Sequence, residues 1–292
     1  MATLQDIRRR IRSVQSTQKI TRAMKLVAAA KLRRAQERIV EARPYAEKMA
    51  ELVRTLGPSL GEDTHPLLAR REEGRKLYVV ITADKGLCGA FNANVIRRAG
   101  GLLRGGGEAV ALVAVGRKAR DFFRRRPWPI RTERSGLLDR LTFAQARELA
   151  RELMRTFLGE EVDEVWVVFN EFRSVAVQKV VVERLLPIEE PGPSGSAGEG
   201  PGVEYLYEPD AERILGALLP RHVEGQIYRI LLESAAGEHG ARMTAMEAAT
   251  KNAQEMIGKL TIQYNKARQE RITKELLDIV GGAEALRSSA EG

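Results

Sequence analysis

The chain has 292 residues, with 48 lysines and arginines against 39 aspartates and glutamates, for a formal net charge of +9. Its one cysteine, Cys88, excludes an intramolecular disulfide framework, and no stretch nears the ~20 apolar residues of a membrane-spanning helix. Aromatic content of 5% suits long helices better than a wide β-sandwich core, and the positive balance points to an anionic partner: nucleic acid, an anionic membrane or an acidic protein surface.

The first predicted element is a helix from Thr3 to about Leu56. Steps of three and four give a heptad seam through Leu4, Ile7, Ile11, Val14, Gln18, Thr21, Lys25, Ala28, Leu32, Ala35, Ile39, Ala42, Ala46, Met49, Val53 and Leu56. Thr3 and Asp6 supply a capping-box variant at its start. At 1.5 Å per residue it spans about 80 Å. Pro44 predicts a kink, and Gly57-Pro58 predicts the end. The seam turns polar at Gln18, Thr21 and Lys25, while Ile20, Met24 and Val27 offer an apolar stripe, read as a local turn of the seam. Ala28, Ala29 and Ala30 make a thin section. In the first 34 residues the basic positions are Arg8, Arg9, Arg10, Arg12, Lys19, Arg22, Lys25, Lys31, Arg33 and Arg34, and only Asp6 is acidic. A merely solvated helix mixes signs to gain i,i+4 pairs. An acidic protein partner fits this face best; a solvated coiled-coil face, nucleic acid and lipid stay open.

The second segment alternates strand and helix. Leu77–Thr82, Ala109–Val115 and Glu164–Asn170 are continuous apolar runs, as in strands buried on both faces. Helical patterns lie between them, including Leu141–Leu158. This predicts right-handed βαβ units around a mostly parallel sheet. Val175–Leu185 reads as a further, antiparallel edge strand. Pro187–Gly202 reads as a flexible loop.

The third segment is a helix from Asp210 to about Ala285. Its seam runs through Met243, Met246, Thr250, Ala253, Ile257, Leu260, Tyr264 and Ala267. Beyond Ala267 that frame becomes polar, and the apolar positions move to Ile272, Leu276, Ile279 and Ala283. Pro220 and Gly240 predict bends or breaks. Two long helices that leave and enter one α/β domain must run in opposite directions if they pair.

Candidate chemistry is sparse. TADKGLCGAFNANV (Thr82–Val95) follows a strand and precedes a helix, where phosphate-binding loops lie. Its glycines make neither GxGxxG nor GxxxxGK[ST]. A structural turn is the favoured reading, with ligand binding or a Cys88 nucleophile as alternatives. His65, His222 and His239 lack metal-ligand spacing, and His239 is placed at a helix break. Arg124–Arg126 reads as a solvated helix end.

The motifs IRRRIRSVQSTQKITRAMKLVAAAKLRRAQ, RPYAEKM and EHGARMTAMEAATKNAQEMIGKLTIQYNKARQERITKELLDIVGGAEAL, with ITADKGLCGAFNANV between them, resemble the gamma subunit of bacterial F-type ATP synthases over nearly the whole chain. The resemblance implies an α/β fold plus a long coiled coil: a left-handed antiparallel pair of N- and C-terminal helices with an inserted Rossmann-like domain. It implies helix at 1–57, linker at 58–75, α/β domain at 76–208 with a loop at 187–202, helix at 209–286 and a disordered tail at 287–292.

It also implies a non-catalytic rotor shaft without cofactor or metal. This shaft couples proton flow to ATP synthesis or hydrolysis inside a ring of alpha and beta subunits. Epsilon and the membrane c-ring are its other partners. By the same resemblance Met24 and Lys25 face an acidic segment of beta. Arg268, Gln269 and Thr273 contact the beta catch region, and Arg242 and Glu275 support coupling. Ile272, Leu276, Ile279 and Val280 form a tip in an apolar collar. The central domain and the GLCGAFN turn face epsilon and the c-ring. Cys88 alone cannot provide the two-cysteine control of chloroplast forms. The start MATLQDIRRR shows no targeting segment, which favours the cytoplasmic face of a bacterial membrane, reached only through the complex. A basic coiled coil that binds nucleic acid is the alternative.

Overall fold

The computed structural model describes residues 3–56, 65–71, 74–105, 110–175, 177–188 and 211–290. The elements are α1 (Leu4–Leu56), β1 (Lys76–Ile81), α2 (Phe91–Gly105), β2 (Val110–Val115), α3 (Arg117–Phe123), β3 (Ile130–Arg134), α4 (Phe143–Leu158), β4 (Glu164–Phe172), β5 (Gln178–Leu186) and α5 (Ala211–Ala290). Two compact units result: residues 28–244, and residues 1–27 with 245–292.

The unit of residues 28–244 is built on one sheet in the order β3-β2-β1-β4-β5. β1, β2, β3 and β4 are parallel, and β5 returns antiparallel beside β4. Side chains alternate faces along a strand. Leu77, Val79 and Ile81 therefore enter one core with Leu149, Leu153 and Phe157 of α4 and Val223, Ile227 and Leu231 of α5. Tyr78 and Val80 enter the other, with Val95, Ala99 and Leu103 of α2 and Ala119 and Phe123 of α3. Burial on both faces is why β1, β2 and β4 read as unbroken apolar runs. β3 escaped the sequence reading because it is a short edge strand, IRTER, in which charged residues outnumber apolar ones. α4 starts at a capping box in which Thr142 and Gln145 satisfy each other's backbone N–H.

α5 is continuous through Pro220 and Gly240, where bends or breaks were expected. Proline within a helix costs about 3 kcal/mol. Around it Leu219, Val223, Ile227, Ile230 and Leu231 are buried, each worth about 1.5–3 kcal/mol, which offsets that cost. Gly237 and Gly240 are close-packing residues. A Cβ on Gly237 would lie 3.3 Å from Phe91 Cε2, and one on Gly240 3.4 Å from Phe172 Cε2. α5 also runs to Ala290, past the expected end at 286. α1 runs through Pro44 as one helix. The loop expected at 187–202 lies outside the described residues from 189 onward, as does most of the linker expected at 58–75.

In the unit of residues 1–27 and 245–292, α1 and α5 run antiparallel. Thr21 Oγ1 lies 2.7 Å from Thr250 Oγ1, Lys25 Nζ donates to Glu247 Oε1 at 2.6 Å, Gln18 bonds Gln254, and Arg8 bonds Tyr264. Reciprocal bonds join Thr3 and Asp6, each backbone N–H donating to the other's side chain at 3.2 Å, which caps α1 as expected. Ile7, Thr21, Met246 and Ala253 are buried in the seam.

The expected local turn of the seam toward Ile20, Met24 and Val27 does not occur. Ile20 and Val27 are 57% and 58% exposed, and Met24 is half-buried. The polar positions stay in the seam because each finds a partner across it: threonine with threonine, lysine with glutamate, glutamine with glutamine. Satisfied polar layers cost little in stability and fix register.

Gly116 sits at φ +89, with space for no side chain: a Cβ there would meet Thr82 O at 2.1 Å. Gly116→Ala is expected to lose about 3 kcal/mol or more of stability in urea unfolding. Gly101→Ala, in α2 with open space around it, should gain up to about 1 kcal/mol.

Candidate functional site

Two places invite a functional reading: the turn after β1, and the helix ends. The turn sits at the carboxyl ends of the parallel strands, where open α/β sheets bind ligands. Its polar groups are already used by the chain. Thr82 Oγ1 donates to Val115 O at 3.2 Å and accepts from Ala119 N at 2.9 Å. Asp84 accepts from Arg117 N at 3.0 Å and Gly136 N at 2.8 Å. Asn92 Oδ1 accepts from Ala83 N, while its Nδ2 donates to Lys85 O and Cys88 Sγ.

α5 fills the space beside the turn. Arg242 donates to Gly86 O at 3.3 Å, and Gly237 packs on Phe91. Cys88 is buried, and burial pushes its thiol pKa up, the opposite of what a nucleophilic thiolate needs. The geometry therefore favours the structural reading of TADKGLCGAFNANV over ligand binding or catalysis.

Around this turn lies a charged cluster that the sequence did not reveal. Asp139 accepts from Lys31 Nζ at 2.8 Å and Lys85 Nζ at 3.3 Å. The hydrogen bond from Lys31 is the main cause that holds its pKa at about 2. Arg242 donates to Glu238 at 2.6 Å, and both side chains are nearly buried. His239 lies inside α5, not at a break. Burial first, then Lys31 and Arg242, lowers its pKa to about 4, so it is neutral at pH 7. No local signal marks Asp139, because its partners are 108 and 54 positions away in sequence. Among the described residues no group of His, Cys, Asp and Glu could hold a metal.

The helix ends carry most of the expected contact residues. Met24 is half-buried, and Lys25 gives its charge to Glu247. Arg268, Gln269 and Thr273 are exposed. Glu275 accepts from Arg271 at 2.7 Å, one turn away. By the register of the pair, residue 3 lies opposite about residue 269, so α5 continues with no described part of α1 beside it. There Ile272, Leu276, Ile279 and Val280 are 44–67% exposed. Arg242 stands apart from these: it belongs to the unit of residues 28–244 and is spent on Glu238 and Gly86. The structure thus brings the C-terminal residues onto one free helix and withdraws Arg242 into the protein.

These features define a class: an antiparallel pair of long terminal helices with an α/β sheet domain inserted between them, and strand ends closed by packing. A family model described as ATP synthase matches residues 3–286. The chain is 53% identical to the ATP synthase gamma chain of Moorella thermoacetica and 49% identical to that of Pelotomaculum thermopropionicum, in each case over 98% of this chain and 100% of the relative. It therefore belongs to the ATP synthase gamma-chain family.

Among solved structures, the central stalk and c-ring of the Tetrahymena thermophila mitochondrial ATP synthase matches 79% of this chain and 99% of the matched chain, at 25% identity and a TM-score of 0.60. The Euglena gracilis mitochondrial enzyme in rotational state 3 shares the fold over 99% of this chain and 96% of that chain, at 21% identity and a TM-score of 0.71. Nothing in these likenesses supports the nucleic-acid alternative.

The lowered pKa of His239 has a measurable consequence. Below about pH 6.5 the unfolded chain takes up a proton that the folded chain refuses until about pH 4. Stability therefore falls as pH drops through that window, by about 3 kcal/mol at full extent. His239→Gln should reduce the fall of the urea-unfolding free energy between pH 6.5 and 4, leaving the part due to His222 and His65, whose pKa values burial also lowers. It should leave the further acid loss toward pH 2, where Asp139 protonates.

Proposed function

We infer that this chain is the central shaft of an F-type ATP synthase. It turns inside a ring of alpha and beta subunits and couples proton flow through the membrane sector to ATP synthesis or hydrolysis. The observation that carries the reading is the end-to-end match with bacterial gamma chains, at 49–53% identity. No helix among the described residues is long and apolar enough to cross a membrane. Attachment then runs through the complex, on the cytoplasmic face of a bacterial membrane.

The shaft adds no group to phosphoryl transfer. It acts as an allosteric effector that moves as a rigid body. To bias one beta subunit at each angle, its contacts must differ in free energy between beta conformations. The uneven surface of the helix ends suits this. Exposed Ile20, Leu26 and Val27 stand on α1 beside exposed Lys19 and Arg22. Met24 and Lys25 would face the acidic segment of beta, with Lys25 presented as an ion pair with Glu247.

Arg268, Gln269 and Thr273 would meet the beta catch region, supported by Glu275. Ile272, Leu276, Ile279 and Val280 would sit in an apolar collar, where contacts without directionality let the tip slide. Arg242 would act from inside, holding the turn at Gly86 against α5. The sheet domain at 76–208, between helices at 1–57 and 209–286, would meet epsilon and the c-ring.

The test is reconstitution with alpha and beta subunits: one copy of this chain per three alpha–beta pairs, in a complex that hydrolyses ATP, is expected. Failure to assemble overturns the reading. Replacing Ile272, Leu276, Ile279 and Val280 together by serine should leave the stability of the free chain within about 0.5 kcal/mol, since these side chains are exposed. The same variant should weaken assembly by tenfold or more, at about 1 kcal/mol for each apolar side chain that the collar would otherwise bury. In the complex, Met24→Lys should lower coupling between hydrolysis and proton pumping while leaving thermal unfolding of the free chain unchanged.

A further inference from the structure

The helical layer formed by α2 and α3 is far more basic than its share of the chain's charge. Between them α2, α3 and the three residues after α3 carry Arg97, Arg98, Arg104, Arg117, Lys118, Arg120, Arg124, Arg125 and Arg126, against one carboxylate, Asp121. Arg120 pairs with Asp121, Arg124 with Glu133 and Arg117 with Asp84. Arg97, Arg98, Arg104, Lys118 and Arg125 are exposed and have no ion-pair partner among the described residues. Arg126 lies 3.3 Å above the Phe122 ring, with half-buried Trp128 following it. None of the large exposed apolar side chains falls on α2 or α3.

We propose that this layer is an adsorption surface for anionic phospholipid headgroups. The deciding feature is charge without an apolar anchor. A protein interface concentrates its energy in a buried apolar or aromatic core, whereas on α2 and α3 no large apolar side chain is exposed, Phe122 and Trp128 being half-buried in the protein itself. Diffuse adsorption to a polyanionic surface needs only many cations, at about 1 kcal/mol each near an anionic bilayer. Arginine suits phosphate because its guanidinium donates two parallel hydrogen bonds. Headgroups diffuse laterally, so such adsorption draws the layer toward the bilayer without fixing an angle. A rotating body can tolerate that kind of attachment. The inference rests on the shaft reading only for the presence of a nearby bilayer.

The test uses the complex of this chain with alpha and beta subunits, floated with vesicles of phosphatidylcholine alone or with one third phosphatidylglycerol, at low and high salt. Binding only to the anionic vesicles, weakened by salt, is expected. The triple variant Arg97→Glu, Arg98→Glu, Arg125→Glu should weaken it by about tenfold or more. The matching triple of Arg→Gln should lose part of that. A control triple on the opposite layer, Arg140→Glu, Arg147→Glu, Arg155→Glu, should change it by no more than about threefold. Equal losses in the two triples, or no preference for anionic over neutral vesicles, would overturn the proposal. Failure of the complex to form would count against the shaft reading instead, and flotation of the free chain with the same variants would still decide this one.

Discussion

Burial of α5 between Leu219 and Ala236 is the constraint on which the unit of residues 28–244 depends. Over that stretch the helix places Leu219, Val223, Ile227, Ile230, Leu231 and Leu232 in the core beneath the sheet. Further along, Gly237 and Gly240 let it come within contact of Phe91 and Phe172. That contact closes the carboxyl ends of β1 and β4, where a doubly wound sheet would ordinarily hold a ligand. Here α5 packs into that place, so the strand ends meet a helix.

The second unit follows a different rule. Its seam is not uniformly apolar; it passes through Gln18–Gln254, Thr21–Thr250 and Lys25–Glu247 layers. Such layers add little stability and specify register, because a slipped pair would leave polar groups unmatched. Apolar side chains are correspondingly left outside, at Ile20, Leu26 and Val27 on α1 and at Ile272, Leu276, Leu277, Ile279 and Val280 on α5. A free chain gains nothing from exposing them. They make sense on a subunit of a larger complex, and the family is that of ATP synthase gamma chains.

Charge divides in the same way between internal and external use. Lys31, Lys85 and Asp139 form one closed group, and Arg242 with Glu238 another, both around the turn at Gly86. Lys19, Arg22 and the α2–α3 arginines stay outside. The net charge of +9 is therefore mostly carried by exposed side chains.

The amino-acid sequence by itself determined the terminal helices, the buried strands, the antiparallel edge and the capping of α1 at Thr3, because each is written in local periodicity or local hydrogen bonding. Its end-to-end motifs also determined the family. Several things were decided only in three dimensions. Pro220 and Gly240 look like breakers in sequence and are not, because burial outweighs propensity at the first and α5 stays packed against Phe172 at the second. The seam keeps its polar positions because partners more than two hundred residues away satisfy them. The near-burial of Arg242 against Glu238 and Gly86 is not written in its local sequence, and Asp139 has no sequence signal at all. Local patterns specify elements; which side chains meet across the chain depends on packing that no short window contains.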